Sequence, residues 1–203
     1  MKRTMLCGLV CLSLAGAAQA AVLVDFESDT TGDKANGWTS VDSSLISFSD
    51  SIGENMEVGD YGNQTDGQSL LIRSDDASYL IMDFTTLVDS LSLDFGNDDP
   101  MASVAGDLAI LTVYLEGTQV GQTTVEMNRD DIMNQSIGIS GVAFNSATFF
   151  YDVRPTEYFT GLIEIVDNIE FELAGSTVPA PGAILLGTLG TGLVGWLRRR
   201  RAM

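Results

Sequence analysis

Acidic side chains are the main chemical resource of this sequence. Its 203 residues carry 28 aspartates and glutamates, all between Asp25 and Glu172. Only Lys34, Arg73, Arg129 and Arg154 oppose them in that stretch, leaving a formal charge of −24. Carboxylate and carbonyl oxygens are hard ligands, and Ca²⁺ is the cation they suit best. If the first and last strands of the fold lie side by side, Glu27 comes near Asp167 and Asn168. Asp50 or Asp25 would then supply a further ligand, giving a candidate calcium site. The alternative is a solvated acidic rim that only keeps the protein soluble. The Asn97–Pro100 loop with Asp107, and the pairs Asp75–Asp76 and Asp130–Asp131, are further acidic spots. Asx-rich loops more often make turns than sites. No twelve-residue calcium loop is present, since Asp60 to Gly67 lacks the acidic spacing.

The same field excludes several chemistries. It repels phosphate backbones, so nucleic acid is not an expected partner. The chain has no histidine, which removes histidine-based triads and ordinary zinc sites. Both cysteines, Cys7 and Cys11, fall in the N-terminal apolar segment, so a mature body would hold no disulfide. Paired carboxylates can hydrolyse glycosidic bonds, but with 28 acids no pair is marked out by its spacing. No catalytic residue is therefore expected. Trp38, Tyr61, Tyr79, Tyr151 and Tyr158 are the aromatics able to stack on a sugar. Tyr151 and Tyr158 flank the Arg154–Pro155 turn, which makes Tyr151, Arg154 and Tyr158 the candidate ligand surface.

These residues need a scaffold, and the spacing predicts an all-β one. Short runs of alternating apolar and polar residues recur at Val22–Phe26, Leu45–Phe48, Ser69–Arg73, Tyr79–Phe84, Ser90–Phe95, Leu108–Leu115, Val120–Met127, Ser136–Ser140, Ala147–Val153 and Leu162–Phe171. Glu116-Gly117-Thr118-Gln119 is a hairpin turn joining the two strongest of them. About ten strands in one body of residues 21–174 predict a single jelly-roll-like β-sandwich.

The two ends read as targeting segments. Lys2 and Arg3 precede an apolar run that closes on Ala18-Gln19-Ala20, so residues 1–20 form a cleavable signal peptide. Residues 175–203 comprise a linker, the motif Val178-Pro179-Ala180-Pro181-Gly182, an apolar helix over 183–197, and Arg198, Arg199, Arg200 and Arg201. The apolar part from Gly182 would be about 24 Å long as a helix. A bilayer core is about 30 Å thick, so this is a marginal single span. The arginines would hold the tail inside and the signal peptide would send the body outside.

In that order and place, motif, apolar helix and arginine cluster resemble the PEP-CTERM sorting signal of Gram-negative bacteria. Ala180 stands where that family usually has glutamate between the prolines. The resemblance implies processing by an exosortase-type enzyme. It also implies a precursor in the inner membrane, anchored by the tail, and a mature form at the cell surface or outside the cell. The body loosely resembles the jelly-roll ectodomains of such proteins and of carbohydrate-binding modules. Asp25-Phe26-Glu27, Leu93-Asp94-Phe95-Gly96, "LTVYLEGTQVG" and "IVDNIEFE" carry that likeness. In those modules a calcium ion in the Glu27–Asp167 region would be structural. The expected function is a non-enzymatic surface or matrix protein associated with biofilm polysaccharide. The alternative is a calcium-stabilised carbohydrate-binding module, and a third is a secreted polysaccharide hydrolase.

Overall fold

The computed structural model describes residues 21–53, 56–74, 76–154 and 161–175. The signal segment, the tail from 176 onward with motif 178–182 and Arg198–Arg201, and the residues Asp75 and Tyr158 lie outside the described residues.

Alternation has produced strands throughout. They are β1 (Val22–Val24), β2 (Gly32–Lys34), β3 (Ile46–Asp50), β4 (Met56–Gly59), β5 (Ser69–Ile72), β6 (Leu80–Gly96), β7 (Leu108–Leu115), β8 (Thr118–Glu126), β9 (Gln135–Asp152) and β10 (Ile165–Leu173). The order is β2-β4-β5-β10-β6-β9-β7-β8, with β1 also on β10 and β3 also on β6. Every pairing is antiparallel. Between β7 and β8 the chain turns in two residues, Glu116 (φ 48°) and Gly117 (φ 77°). Two successive left-handed residues match the twist of a tight hairpin, and glycine takes the second without strain.

The two longest strands make the sandwich. The first part of β6 pairs with β3, and its second part with β10. Along its other edge β6 follows β9, with register shifts between Asp83 and Val88 and between Val88 and Ser90. A bulge of this kind bends a strand and lets it pass from one layer to the next. Ring contacts show that the ribbon folds over. Phe95 is paired in register with Gln135, yet its ring lies 5.7 Å from Phe149 and 6.0 Å from Tyr151 at the other end of β9. Phe84 in the first part of β6 meets Phe171 of β10 at 5.2 Å. The result is an all-β, sandwich-like antiparallel sheet around one apolar core.

That core takes alternate residues from nearly every strand, among them Phe48, Leu80, Met82, Leu93, Leu111, Val113, Ala147, Phe149 and Phe171. Period two therefore sends their neighbours outward. In β9, Ala147, Phe149 and Tyr151 face the core, so Thr148, Phe150 and Asp152 face out.

Candidate functional site

The outward set converges on one cleft. It measures about 390 Å³ and is lined by Tyr79, Tyr114, Thr148, Phe150 and Asp152, with Asp76 and Ser78 at one lip. The register explains the convergence. Tyr114 of β7 sits opposite Ser146 of β9, two residues from Thr148 and four from Phe150 on the same face. Tyr79 precedes β6 and is pinned by Ser51, whose hydroxyl accepts from the Tyr79 N–H at 2.9 Å. Its ring meets Phe150 at 6.4 Å, inclined by 54°. Of the described aromatics, only Trp38, Tyr61, Tyr79, Tyr114 and Phe150 are not buried, and three of these five share this cleft. Trp38 packs on Phe26 and Phe48 with the Lys34 ammonium over its ring, so it belongs to the core margin. One exposed and two half-buried rings beside carboxylates and hydroxyls offer stacking surfaces together with directional hydrogen-bond acceptors and donors.

Of the candidate ligand surface read from sequence, Tyr151 does border the cleft, but its side chain turns away from it. Its phenol is 5% exposed and donates to the Gly96 carbonyl inside the core. Arg154 is held too: its Nε donates to Asp107 Oδ1 at 2.9 Å and its NH2 group to the Ala105 carbonyl at 2.6 Å. That contact uses Asp107 as a loop anchor, with its other oxygen accepting from Val104 N–H at 2.8 Å.

Glu27 and Asp167 are held by adjacent residues, Glu27 by Gln68 and Asp167 by Ser69. β1 pairs with β10, and Asp167 feels the negative charge of Glu27. Asp167 is 1% exposed; Oδ2 accepts from the Ser69 hydroxyl at 2.9 Å and Oδ1 from Asn168 N–H at 2.7 Å. Burial pushes its carboxyl up to about 7, and Asp66 and Glu27 add to the rise against those two hydrogen bonds. Glu27 Oε1 accepts from Gln68 N–H at 2.9 Å. Asn168 turns its amide nitrogen to Asp94 at 3.1 Å. Asp50 is engaged elsewhere: its two oxygens accept from Ile52 and Gly53 N–H at 3.1 Å each, closing its own turn. Asp25 accepts from Glu27 N–H at 3.2 Å. Among the described residues no three acidic side chains converge as a metal site requires. The donors at Glu27 and Asp167 are of the right kind for calcium but fewer than a full shell.

Phe150, Tyr114, Thr148 and Asp152 are the cleft residues that sequence reasoning missed. The signal for Phe150 was present in Phe149-Phe150-Tyr151. In a strand, three consecutive aromatics cannot all face the core.

No protein-family model and no curated protein matches the chain. Solved structures that resemble it include an arabinose-bound family 51 α-L-arabinofuranosidase. It shares 15% identity at a TM-score of 0.47, over 77% of this chain and 27% of that one. A CBM22 tandem from Paenibacillus barcinonensis Xyn10C shares 12% at 0.42, over 80% and 51%. A CBM32 domain from a Clostridium perfringens family 31 glycoside hydrolase shares 12% at 0.35, over 57% and 85%. The chain thus spans about a quarter of the first of these. At such identities and scores the likeness says nothing of ligand or mechanism.

Proposed function

We propose that this protein is an exported, non-catalytic, jelly-roll-like domain that binds an extracellular polysaccharide in the Tyr79–Tyr114–Phe150 cleft. The observation that carries this is the gathering of three of the five non-buried aromatics into one open groove with Asp76, Ser78, Thr148 and Asp152. Sugars present an apolar C–H face to such rings and hydroxyls to such oxygens. A matrix or cell-surface role follows as the use of that binding. A hydrolase reading would have to rest on Asp76 and Asp152, the cleft's own carboxylates, and nothing marks these two as an acid–base pair.

A glycan array probed with the protein, in calcium and in chelator, tests the reading. Binding to a polysaccharide class without release of new reducing ends is expected. Silence across the array, with the protein still retained on living cells, would leave the matrix role without this cleft. Turnover would overturn the non-catalytic reading. A structural calcium ion is further proposed at Glu27 and Asp167, where a buried carboxyl lies among negative neighbours.

For the ends, the proposal is exosortase-type processing of a membrane precursor at the Val178–Gly182 motif. Its support is the sequence of motif, short apolar helix and four arginines. An epitope tag after Met203 should be missing from mature surface protein. Its persistence would mean a plain membrane anchor.

A further inference from the structure

Behind the cleft lies a carboxyl that glycan binding does not use. Glu164, at the entry to β10, is 2% exposed. Among the described residues its Oε2 has no hydrogen-bond partner, while Oε1 receives a 3.5 Å contact from Tyr151 N–H and the carboxyl is also near its own backbone N–H. The Ser78 hydroxyl is likewise buried and without a partner among the described residues. Backbone contacts gather these groups. Ile72 N–H donates to the Glu164 carbonyl at 2.9 Å, and Ser78 N–H to Asp76 Oδ1 at 2.8 Å. Ser51 N–H donates to the Tyr79 carbonyl at 3.1 Å, which brings Asp50 alongside. Gly161 stands so close to Asp76 that a Cβ there would lie 1.6 Å from the Asp76 carbonyl oxygen.

The charges that act most strongly on Glu164 among the described residues are negative. Asp76 comes from the segment before β6 and Asp50 from the end of β3. On the β9 side stands the Tyr151 phenol, itself within reach of Asp98 and Asp131 from the loops beyond. The ion pairs among the described residues join Arg73 to Asp33 and Glu57, and Arg154 to Asp107; none reaches Glu164. An ionised carboxylate so buried and so surrounded needs a counter-charge. Among the described residues no three acids converge on a metal here, and a proton neutralises the carboxylate.

We propose that Glu164 is a proton-held buttress of the cleft: neutral, it lets the lip of Asp76–Tyr79 and Gly161 close against β9, and ionised, it drives that lip apart. Burial raises its pKa well above the ordinary glutamate value, with Asp76 and Asp50 adding to the rise. The closed cleft therefore belongs to low pH and loosens as pH rises.

Hydrogen exchange of the full-length protein tests this without any glycan. After correction for intrinsic rates, amides of 76–81 and 149–153 should exchange about tenfold faster at pH 8 than at pH 5, beyond any change in β8 at the far edge of the sheet. Glu164→Gln, which keeps the neutral shape, should hold the lip closed at both pH values. Asp76→Asn removes a like charge and should move the midpoint of opening to lower pH. Identical profiles for wild type and Glu164→Gln would overturn the proposal. An unmoved midpoint in Asp76→Asn would overturn it if the glutamine variant fails to fold. Closure restored at pH 8 by millimolar calcium in wild type alone would replace the proton with a cation, which also overturns it.

Discussion

Thermal stability of this protein is expected to fall as pH rises from 4 to 8, by on the order of 10 °C, and replacing Asp167 by asparagine should remove much of that slope. The cause is a carboxyl whose value moves from 3.8 in the open chain to about 7 in the fold, because burial outweighs its two hydrogen bonds. Below 3.8 both states hold the proton and Asp167 favours neither. Between the two values the unfolded chain releases the proton and the folded chain keeps it. Stability therefore drops by about 1.4 kcal/mol per pH unit, to a total of roughly 4 kcal/mol. At about 2–4 °C per kcal/mol for a chain of this size, the change is large enough to read by calorimetry. Glu164 acts in the same direction, since its value is also raised by burial. A melting temperature that climbs with pH, or an Asp167→Asn variant with the wild-type slope, would show that these carboxyls are not held as described. The same proton sets the condition for the proposed calcium site. Metal needs the ionised carboxylate, so calcium should raise the melting temperature more at pH 8 than at pH 5. A Glu27→Gln, Asp167→Asn variant should lose that response.

The paired substitution Tyr79→Ala, Phe150→Ala should weaken polysaccharide binding by roughly 10- to 100-fold, taking about 0.5–1.5 kcal/mol per stacked ring. It should leave the fold intact. Tyr79 is 38% exposed, and Phe150 lies on the outer face of β9, outside the core. Phe149→Ala, one residue away and fully buried, is the contrasting control: it should cost about 3–5 kcal/mol of stability. Affinity electrophoresis in polysaccharide gels, with circular dichroism on the same samples, separates the two effects. Undiminished retardation of the paired variant would remove the cleft from the binding account.

How much of this could be read from residues alone varied with the local physics. Leu108–Leu115 was predicted with the bounds that β7 has, because eight apolar-rich residues end at a turn of defined geometry. β2 (Gly32–Lys34) and β4 (Met56–Gly59) were missed, since three or four residues with glycine in each carry no readable period. They pair with each other and extend the sheet beyond β5. Tyr79–Phe84 and Ser90–Phe95 were read as two strands, yet one strand runs through both. The exposed Thr85, Thr86 and Leu87 look like a loop in sequence but keep their place in the sheet through a bulge. Ser136–Ser140 and Ala147–Val153 merge in β9 for the same reason. Among site residues, the β1–β10 pairing expected from the sequence is present, with Val22–Val24 against Ile169–Phe171. Tyr151 borders the cleft but turns its side chain into the core, since alternation along β9 puts Phe149 and Tyr151 on one face and Phe150 on the other. The buried state of Glu164 left no local trace, for its neighbours Asp50, Asp76 and Tyr151 come from three distant segments.

The central claim is that a glycan seats on the Tyr79–Tyr114–Phe150 face, and amide NMR during titration with an array-positive oligosaccharide tests it most directly. The expected result is a set of shifts confined to 77–81, 112–114 and 148–152, saturating with the binding curve. Shifts centred instead on Glu27, Gln68 and Asp167 at the β1–β10 rim, with the cleft amides unmoved, would contradict it.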